Sequence, residues 1–253
     1  MTFDLTGRAA LVTGSSRGIG RAIATSLARA GAAVAIHGRT RTDQLLQTAD
    51  ELRAGGAIVF VTTGDLEEPA TAAGIVDEAA SALGRLDILV NNAGTVTPMA
   101  ADDMTLEAWT RVIQVNLTSA FFCAQAAARH MRRNGYGRIV NVSSQAAEAA
   151  IPTYAHYGAS KAGLNLLAKQ LAVEWAPFGI CVSNVSPAFV RTDLAEEVFK
   201  KLPALYDDQL QRVPKRRMCE VDEVAAAVLY LVSKEADFTT GTVLHVDGGY
   251  LAL

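Results

Sequence analysis

Tyr157 and Lys161 stand four residues apart in a segment of helical spacing, and residues so placed share one face of a helix. A phenol beside an ammonium is a proton-transfer pair. A free tyrosine ionises only near pH ~10 and is a poor base at neutrality, but a neighbouring cation favours the phenolate. Bringing that pKa down by about 3 units takes about 4 kcal/mol of differential interaction, within reach of one or two partly desolvated charges. Such pairs also arise by chance, with a half-buried tyrosine and a solvated lysine, so the company they keep decides their meaning. Tyr154 has Gly158 four residues on and no cation fixed beside it, and His156 points roughly 100° around the helix from Tyr157. Both are expected to pack or to line a pocket wall.

Two hydroxyls, Ser143 and Ser144, close an apolar run at 139–143. At the carboxyl end of a strand a hydroxyl can hydrogen-bond a substrate oxygen and stabilise charge developing on it; the blander role is a turn cap. Asn116 lies among Val115, Leu117 and Phe121 in an otherwise apolar helical stretch, where it is expected to kink the helix or bond a water.

Near the amino end, the first apolar run leads straight into Thr13-Gly14-Ser15-Ser16-Arg17-Gly18-Ile19-Gly20, and a helix follows. Glycine permits a tight turn and lets backbone approach a pyrophosphate, while the helix start offers unpaired N–H groups. The Gly-xxx-Gly-x-Gly spacing differs from Gly-x-Gly-xx-Gly, and no Lys-Ser/Thr follows to make a nucleoside-triphosphate loop. Its place directly after a strand points to a dinucleotide. The second apolar run ends in His37-Gly38-Arg39, with Arg41 nearby and no Asp or Glu where an acid would bond the ribose hydroxyls of NAD. Arg39 and Arg17 are placed to clamp a 2′-phosphate by charge-assisted hydrogen bonds. NADP(H) is therefore expected in preference to NAD(H), the alternative being that Arg39 and Arg41 are ordinary loop residues. An oxidised nicotinamide would add a second cation beside Tyr157.

These groups need a scaffold that gathers strand ends. Short apolar, β-branched runs at 9–13, 33–37, 58–62, 88–91, 139–143, 182–186 and 243–246 alternate with helical patterns at 18–29, 42–54, 69–83, 106–131, 154–175 and 222–232. Alternation of this kind implies βαβ units, and runs apolar throughout suit strands buried on both faces. The expected fold is α/β: a Rossmann-type, doubly wound, seven-stranded parallel sheet with helices on both faces. Residues 1–253 read as a single domain, with no linker and no repeat. The segment 188–218 breaks the rhythm after the sixth strand, where ligands bind in open α/β sheets, and carries apolar residues at helical spacing. It is expected to be a substrate lid, or else two surface helices packed on the core or on another subunit.

Composition narrows the function. The chain is 50% hydrophobic and 19% charged with net charge -3, so it can bury a core and offers no basic field for nucleic acid or membrane. The start has no basic, apolar leader. No apolar stretch nears the ~20 residues of a membrane span. Three scattered cysteines and four scattered histidines suggest neither a disulfide framework nor a metal site, and fit a reducing cytoplasm.

Taken together, the residues resemble the short-chain dehydrogenase/reductases, the subclass of roughly 250 residues, over nearly the whole chain. The resemblance rests on Thr13-Gly14-xxx-Gly18-Ile19-Gly20, Asp65, Asn91-Asn92-Ala93-Gly94, Asn116, Ser144, Tyr157-xxx-Lys161, Pro187 with Thr192, and Val246-Asp247-Gly248-Gly249. It implies an oxidoreductase that moves a hydride between NADP(H) and a carbonyl or secondary alcohol. Tyr157 would be the proton donor or acceptor and Ser144, not Ser143, the substrate-orienting hydroxyl. Lys161 would tune Tyr157 and grip the nicotinamide ribose, and Asn116 would hold a proton-relaying water. The cofactor would lie on Gly14, Ser16, Arg17, Gly18, Ile19, Gly20 and Arg39, with Asp65 and Leu66 at the adenine. Asn92, Ala93 and Gly94 would form a wall, and Pro187, Val190 and Thr192 would meet the nicotinamide. Ala188 and Met218 depart from the family, which favours glycine at both places.

The same resemblance implies a homotetramer paired through the two long helices and the last strand. Its most frequent substrate is a 3-oxoacyl thioester on acyl carrier protein, to which Arg129, Arg132 and Arg133 could offer positive charge; these arginines are equally read as solvated. A sugar, polyol, steroid or small ketone is the alternative within the family. A dinucleotide-sensing regulator without catalysis is the alternative outside it, disfavoured by the intact Asn116, Ser144, Tyr157 and Lys161.

Overall fold

A computed structural model describes residues 3–193, 195–196 and 209–252. Apolar runs become strands β1 (Ala9–Val12), β2 (Ala33–Gly38), β3 (Val59–Thr63), β4 (Ile88–Asn91), β5 (Gly137–Val142), β6 (Ile180–Pro187) and β7 (Val243–Val246). All pair in parallel, in the order β3-β2-β1-β4-β5-β6-β7. Alternate side chains of each strand enter opposite cores. Ala10 and Val12 of β1 join the core covered by α1 (Gly18–Arg29), α2 (Asp43–Ala54) and α7 (Val221–Val232). Leu11 joins the one covered by α3 (Thr71–Leu83), α5 (Ser119–Asn134) and α6 (Ala155–Trp175). The sheet is thus wound on both faces, as the alternating sequence pattern predicts. Of the expected lid, residues 194 and 197–208 lie outside the described residues.

Several helices start where side chains satisfy the orphan N–H groups of a first turn. The Thr42 hydroxyl accepts from Leu45 N ahead of α2, and Glu220 with Glu223 forms a reciprocal cap on α7. In α6 the residues His156, Ser160, Lys161, Leu164, Ala168, Leu171 and Trp175 turn inward together. The helix expected over 106–131 is divided. α4 (Leu106–Ile113) runs into a π-turn at Gln114–Thr118 before α5 begins. The cause lies at Asn116, whose side chain bonds outside its own helix, so that one extra residue is taken up in the turn.

Three strand asparagines form a buried chain of amides. Asn91 Nδ2 donates to Asn141 Oδ1 at 2.9 Å and to the Ala120 carbonyl of α5 at 3.1 Å. Asn141 Nδ2 donates to Asn184 Oδ1 at 2.8 Å, and Asn184 Nδ2 reaches the Leu164 carbonyl and Asn165 Oδ1 of α6. The three residues are register partners on β4, β5 and β6. This ladder joins the carboxyl halves of those strands to the two helices that flank the site. Asn141→Val strips the middle rung and leaves a buried donor on Asn91 and an acceptor on Asn184 unpaired. It is expected to lower stability by about 2–4 kcal/mol, read as a drop in denaturant midpoint with an unchanged m-value; no shift would mean that the chain carries no weight.

Candidate active site

Strand order reverses between β1 and β4, whose following connections depart to opposite sides and open a crevice at their carboxyl ends. Thr13 and Asn92 staple its two walls together. Thr13 Oγ1 accepts from Asn92 N and Ala93 N, both at 3.0 Å, and Asn92 Nδ2 donates to the Thr13 and Gly14 carbonyls at 2.9 Å. The glycine-rich turn fits this space for steric reasons. Gly14 has φ +62°, and a Cβ there would meet Ala93 Cα at 2.9 Å; a Cβ on Gly20 would strike the Gly14 carbonyl and Asn92.

The resulting cleft has a volume of about 530 Å³, ample for much of a dinucleotide. Gly14, Ser16, Arg17, Gly18, Ile19, Gly20, Arg39, Asp65, Leu66, Asn92, Ala93, Gly94 and Thr192 all line it, so residues spread over 179 positions of sequence meet at one surface. α1 points its first turn here, with no side-chain cap from Arg17 and no acid in that turn. Its unpaired N–H groups and positive dipole end suit an anionic pyrophosphate. Arg17 and Arg39 supply cations, and no carboxylate ends β2. The donor set therefore fits NADP(H). Arg111 and Glu67 pair at 3.1 Å beside the loop of Asp65 and Leu66. Pro187 and Val190 do not line this cleft. Pro187 is buried at the end of β6, and Val190 is a core residue bridged to Cys219.

Beyond Gly94 lie Asn116, Lys161 and Tyr157. A Cβ on Gly94 would stand 3.4 Å from Asn116 Oδ1 and 3.6 Å from Lys161 Nζ, so this glycine brings the cleft close to the amine. Lys161 is buried, lies 5.6 Å from the Tyr157 ring centroid and donates to the Val142 carbonyl at 2.8 Å. Burial pulls its pKa down to about 8. Tyr157 moves in the direction opposite to the one read from its spacing. Loss of solvent raises the phenol above its ordinary value, a hydrogen bond with Ser144 draws it partly back, and Tyr154 pushes it up again. The ammonium, one helical turn away as expected, is aimed at the strand carbonyl and does not offset the phenol's desolvation.

The structure separates the two serines. The Ser143 hydroxyl is buried against the Lys161 carbonyl at 3.4 Å, while Ser144 Oγ caps a short turn by accepting from Ala146 N at 3.2 Å and lies near enough to Tyr157 to draw its pKa down. Asn116 bonds across to two other elements. Thr95 N donates to its Oδ1 at 2.8 Å, and its two amide hydrogens go to Thr95 O and Ser160 Oγ at 3.0 and 3.1 Å. With both donors engaged, the side chain clamps the β4–α4 loop to α6. His156, expected to pack or to line a pocket wall, is buried and makes a second such clamp. Its Nε2 meets the Thr97 carbonyl at 3.0 Å, and its Nδ1 accepts from Tyr157 N at 2.9 Å, satisfying an orphan donor of α6. Burial of a histidine directly before the tyrosine could not be read from one sequence. Tyr154 stacks edge-on against Tyr157 with centroids 5.8 Å apart. Ala101, Ala146, Ala150, Ile151 and Tyr154 line an adjoining cavity of about 280 Å³.

Known proteins resemble this chain over its whole length. The family model described as Enoyl-(Acyl carrier protein) reductase matches residues 14–251. The chain is 39% identical over 253 residues to 3-oxoacyl-[acyl-carrier-protein] reductase of Escherichia coli (strain K12), with 98% of each chain covered. It is 34% identical over 248 residues to Glucose 1-dehydrogenase 2 of Bacillus subtilis (strain 168), covering 97% of this chain and 95% of that one. Among solved structures, a gluconate 5-dehydrogenase from Burkholderia cenocepacia J2315 in complex with NADP and tartrate superposes with a TM-score of 0.94 at 36% identity. The match covers 100% of this chain and 98% of the other.

Proposed function

The chain belongs to the short-chain dehydrogenase/reductase family, and we propose that it is an NADP(H)-dependent oxidoreductase acting on a carbonyl or secondary alcohol through Tyr157. The observation that carries this reading is the Tyr157–Ser144 pair next to a cleft whose turn and β2 end present Arg17 and Arg39. A nicotinamide held in this cleft would supply or accept the hydride at the carbonyl carbon. The protein handles the proton. In reduction the Tyr157 hydroxyl, kept protonated by burial, donates to the carbonyl oxygen, and Ser144 stabilises charge on that oxygen. Lys161, released from the Val142 carbonyl, holds the ribose and favours the tyrosinate that donation leaves behind.

Apolar walls at Ala101, Ala146, Ala150 and Ile151 favour an acyl chain, hence a 3-oxoacyl thioester. Full-length likeness to a glucose dehydrogenase supports a sugar-type alcohol as the second reading. The arginines considered for an acidic carrier protein lie near the end of α5, at the edge of the sheet opposite the site. Arg129 lies 3.9 Å from Asp77, and Arg132 stacks 4.2 Å over Phe178. They could serve a carrier only at a neighbouring subunit's site. Pairing of copies is supported by apolar residues left open on α4 to α6, with Leu106 81%, Leu166 59% and Val173 78% exposed; we propose a homotetramer. No helix among the described residues is long and apolar enough to cross a membrane, and the three free cysteines suit a reducing cytosol.

Oxidation of NADPH and of NADH should be followed side by side against a 3-oxoacyl thioester, a keto-gluconate and a simple ketone. NADPH and the thioester are expected to give the highest kcat/KM. A clear preference for NADH would remove the roles of Arg17 and Arg39, and turnover of the sugar acid alone would replace the acyl reading.

A further inference from the structure

His37, the penultimate residue of β2, is 2% exposed and lines the floor of the cofactor cleft. Its two nitrogens do different work. Gly14 N donates to Nδ1 at 3.2 Å, and Nε2 stands 3.0 Å from the Gly64 carbonyl. A carbonyl can only accept, so Nε2 carries the proton and Nδ1 presents a lone pair; both contacts require the same neutral tautomer. The backbone adds two more ties, with His37 N donating to Ser15 Oγ at 2.8 Å and Ser15 N donating to His37 O at 2.9 Å. Gly14 opens the turn that faces the pyrophosphate. Gly64 immediately precedes Asp65 and Leu66 in the loop at the adenine end. One imidazole therefore fixes the distance between the two surfaces that must grip opposite sides of an adenosine phosphate. Burial lowers the histidine's pKa, against the Gly64 carbonyl and Asp65, which raise it, and so preserves the lone pair.

We propose that His37 is a positioning residue for the adenosine half of the cofactor, acting through the hydrogen bond from Gly14 N to its Nδ1. The proposal rests on the NADP(H) reading above. It distinguishes two substitutions of similar polarity. An asparagine puts its amide oxygen near the place of Nδ1 and can still accept from Gly14. A glutamine reaches the place of Nε2 and leaves the Gly14 N–H without a partner. His37→Gln and His37→Ala are expected to raise the Kd for NADPH about ten-fold or more, the usual effect of orphaning a part-buried donor, while His37→Asn raises it less than about three-fold.

Binding is read by NADPH fluorescence on the ligand-free protein, and again with adenosine 2′,5′-bisphosphate, which should weaken by the same factor. Turnover at saturating NADPH should stay within about two-fold of wild type, because the reacting end is untouched. Equal affinity for all four proteins overturns the proposal. So does an equal loss in the Asn and Gln variants that merely follows their melting temperatures, since that is the mark of a structural histidine. If the wild-type protein binds neither NADPH nor the bisphosphate, the cofactor reading itself is what fails.

Discussion

Tyr157→Phe is expected to lower turnover about 10³-fold, the scale on which a positioned general acid contributes, while NADPH binds as tightly as before. The ring keeps its edge-on contact with Tyr154 and its place above Lys161; only the phenol oxygen is removed. The loss should therefore appear in kcat, with the cofactor's Kd and the melting temperature little changed. Near-wild-type turnover in a variant that binds NADPH normally would end the assignment of the phenol. The direction of the phenol's shift adds a second expectation. Burial raises its pKa in the free protein, so the acid form is available throughout the neutral range, and reduction is the direction the ligand-free site is poised for.

Lys161→Met should abolish most activity yet make the protein more stable at neutral pH. Burial holds the folded-state pKa of Lys161 at about 8, against an ordinary value of 10.5. Between those values the unfolded chain binds more protons than the folded one, so stability rises as pH rises through the interval. Below pH 8 the ammonium is buried in full, at a disadvantage of about 3 kcal/mol. Methionine fills the same volume without the charge, but leaves the Val142 carbonyl without its donor. The net gain at pH 7 is expected to be about 1–2 kcal/mol, or about 2–8 °C in Tm. It should shrink toward pH 10 as the wild-type lysine sheds its proton. A methionine variant less stable than wild type at pH 7 would show that the bond to Val142 outweighs desolvation.

The cost of Lys161 explains why spacing gave its position but not its electrostatics. Four residues along a helix set a shared face whatever the surroundings, and Lys161 does lie beside the Tyr157 ring. Which way the amine points depends on a carbonyl of β5, a strand that ends 19 positions earlier. The phenol's pKa depends on how much water the neighbouring loops exclude. Asn116 teaches the same lesson. Its odd polarity marked a kink, and a π-turn is there, but its three bonds reach the β4–α4 loop and α6, partners no local pattern names. Ser143 and Ser144 were equivalent as residues. The pleat sends one hydroxyl under α6 and leaves the other with Tyr157.

Periodicity and punctuation alone determined the alternation of strands and helices, the parallel seven-stranded sheet and the glycine-rich turn after β1. These follow from short-range sterics and from apolar faces that must be covered, both written locally in the chain. Tertiary structure alone decided that His37 would hold that turn against the β3 loop, that His156 and Asn116 would clamp the loop before α4, and that burial would pull the lysine's pKa well below its ordinary value. Each of these depends on which distant groups close off solvent around a polar atom, and solvent exclusion is a property of the packed whole.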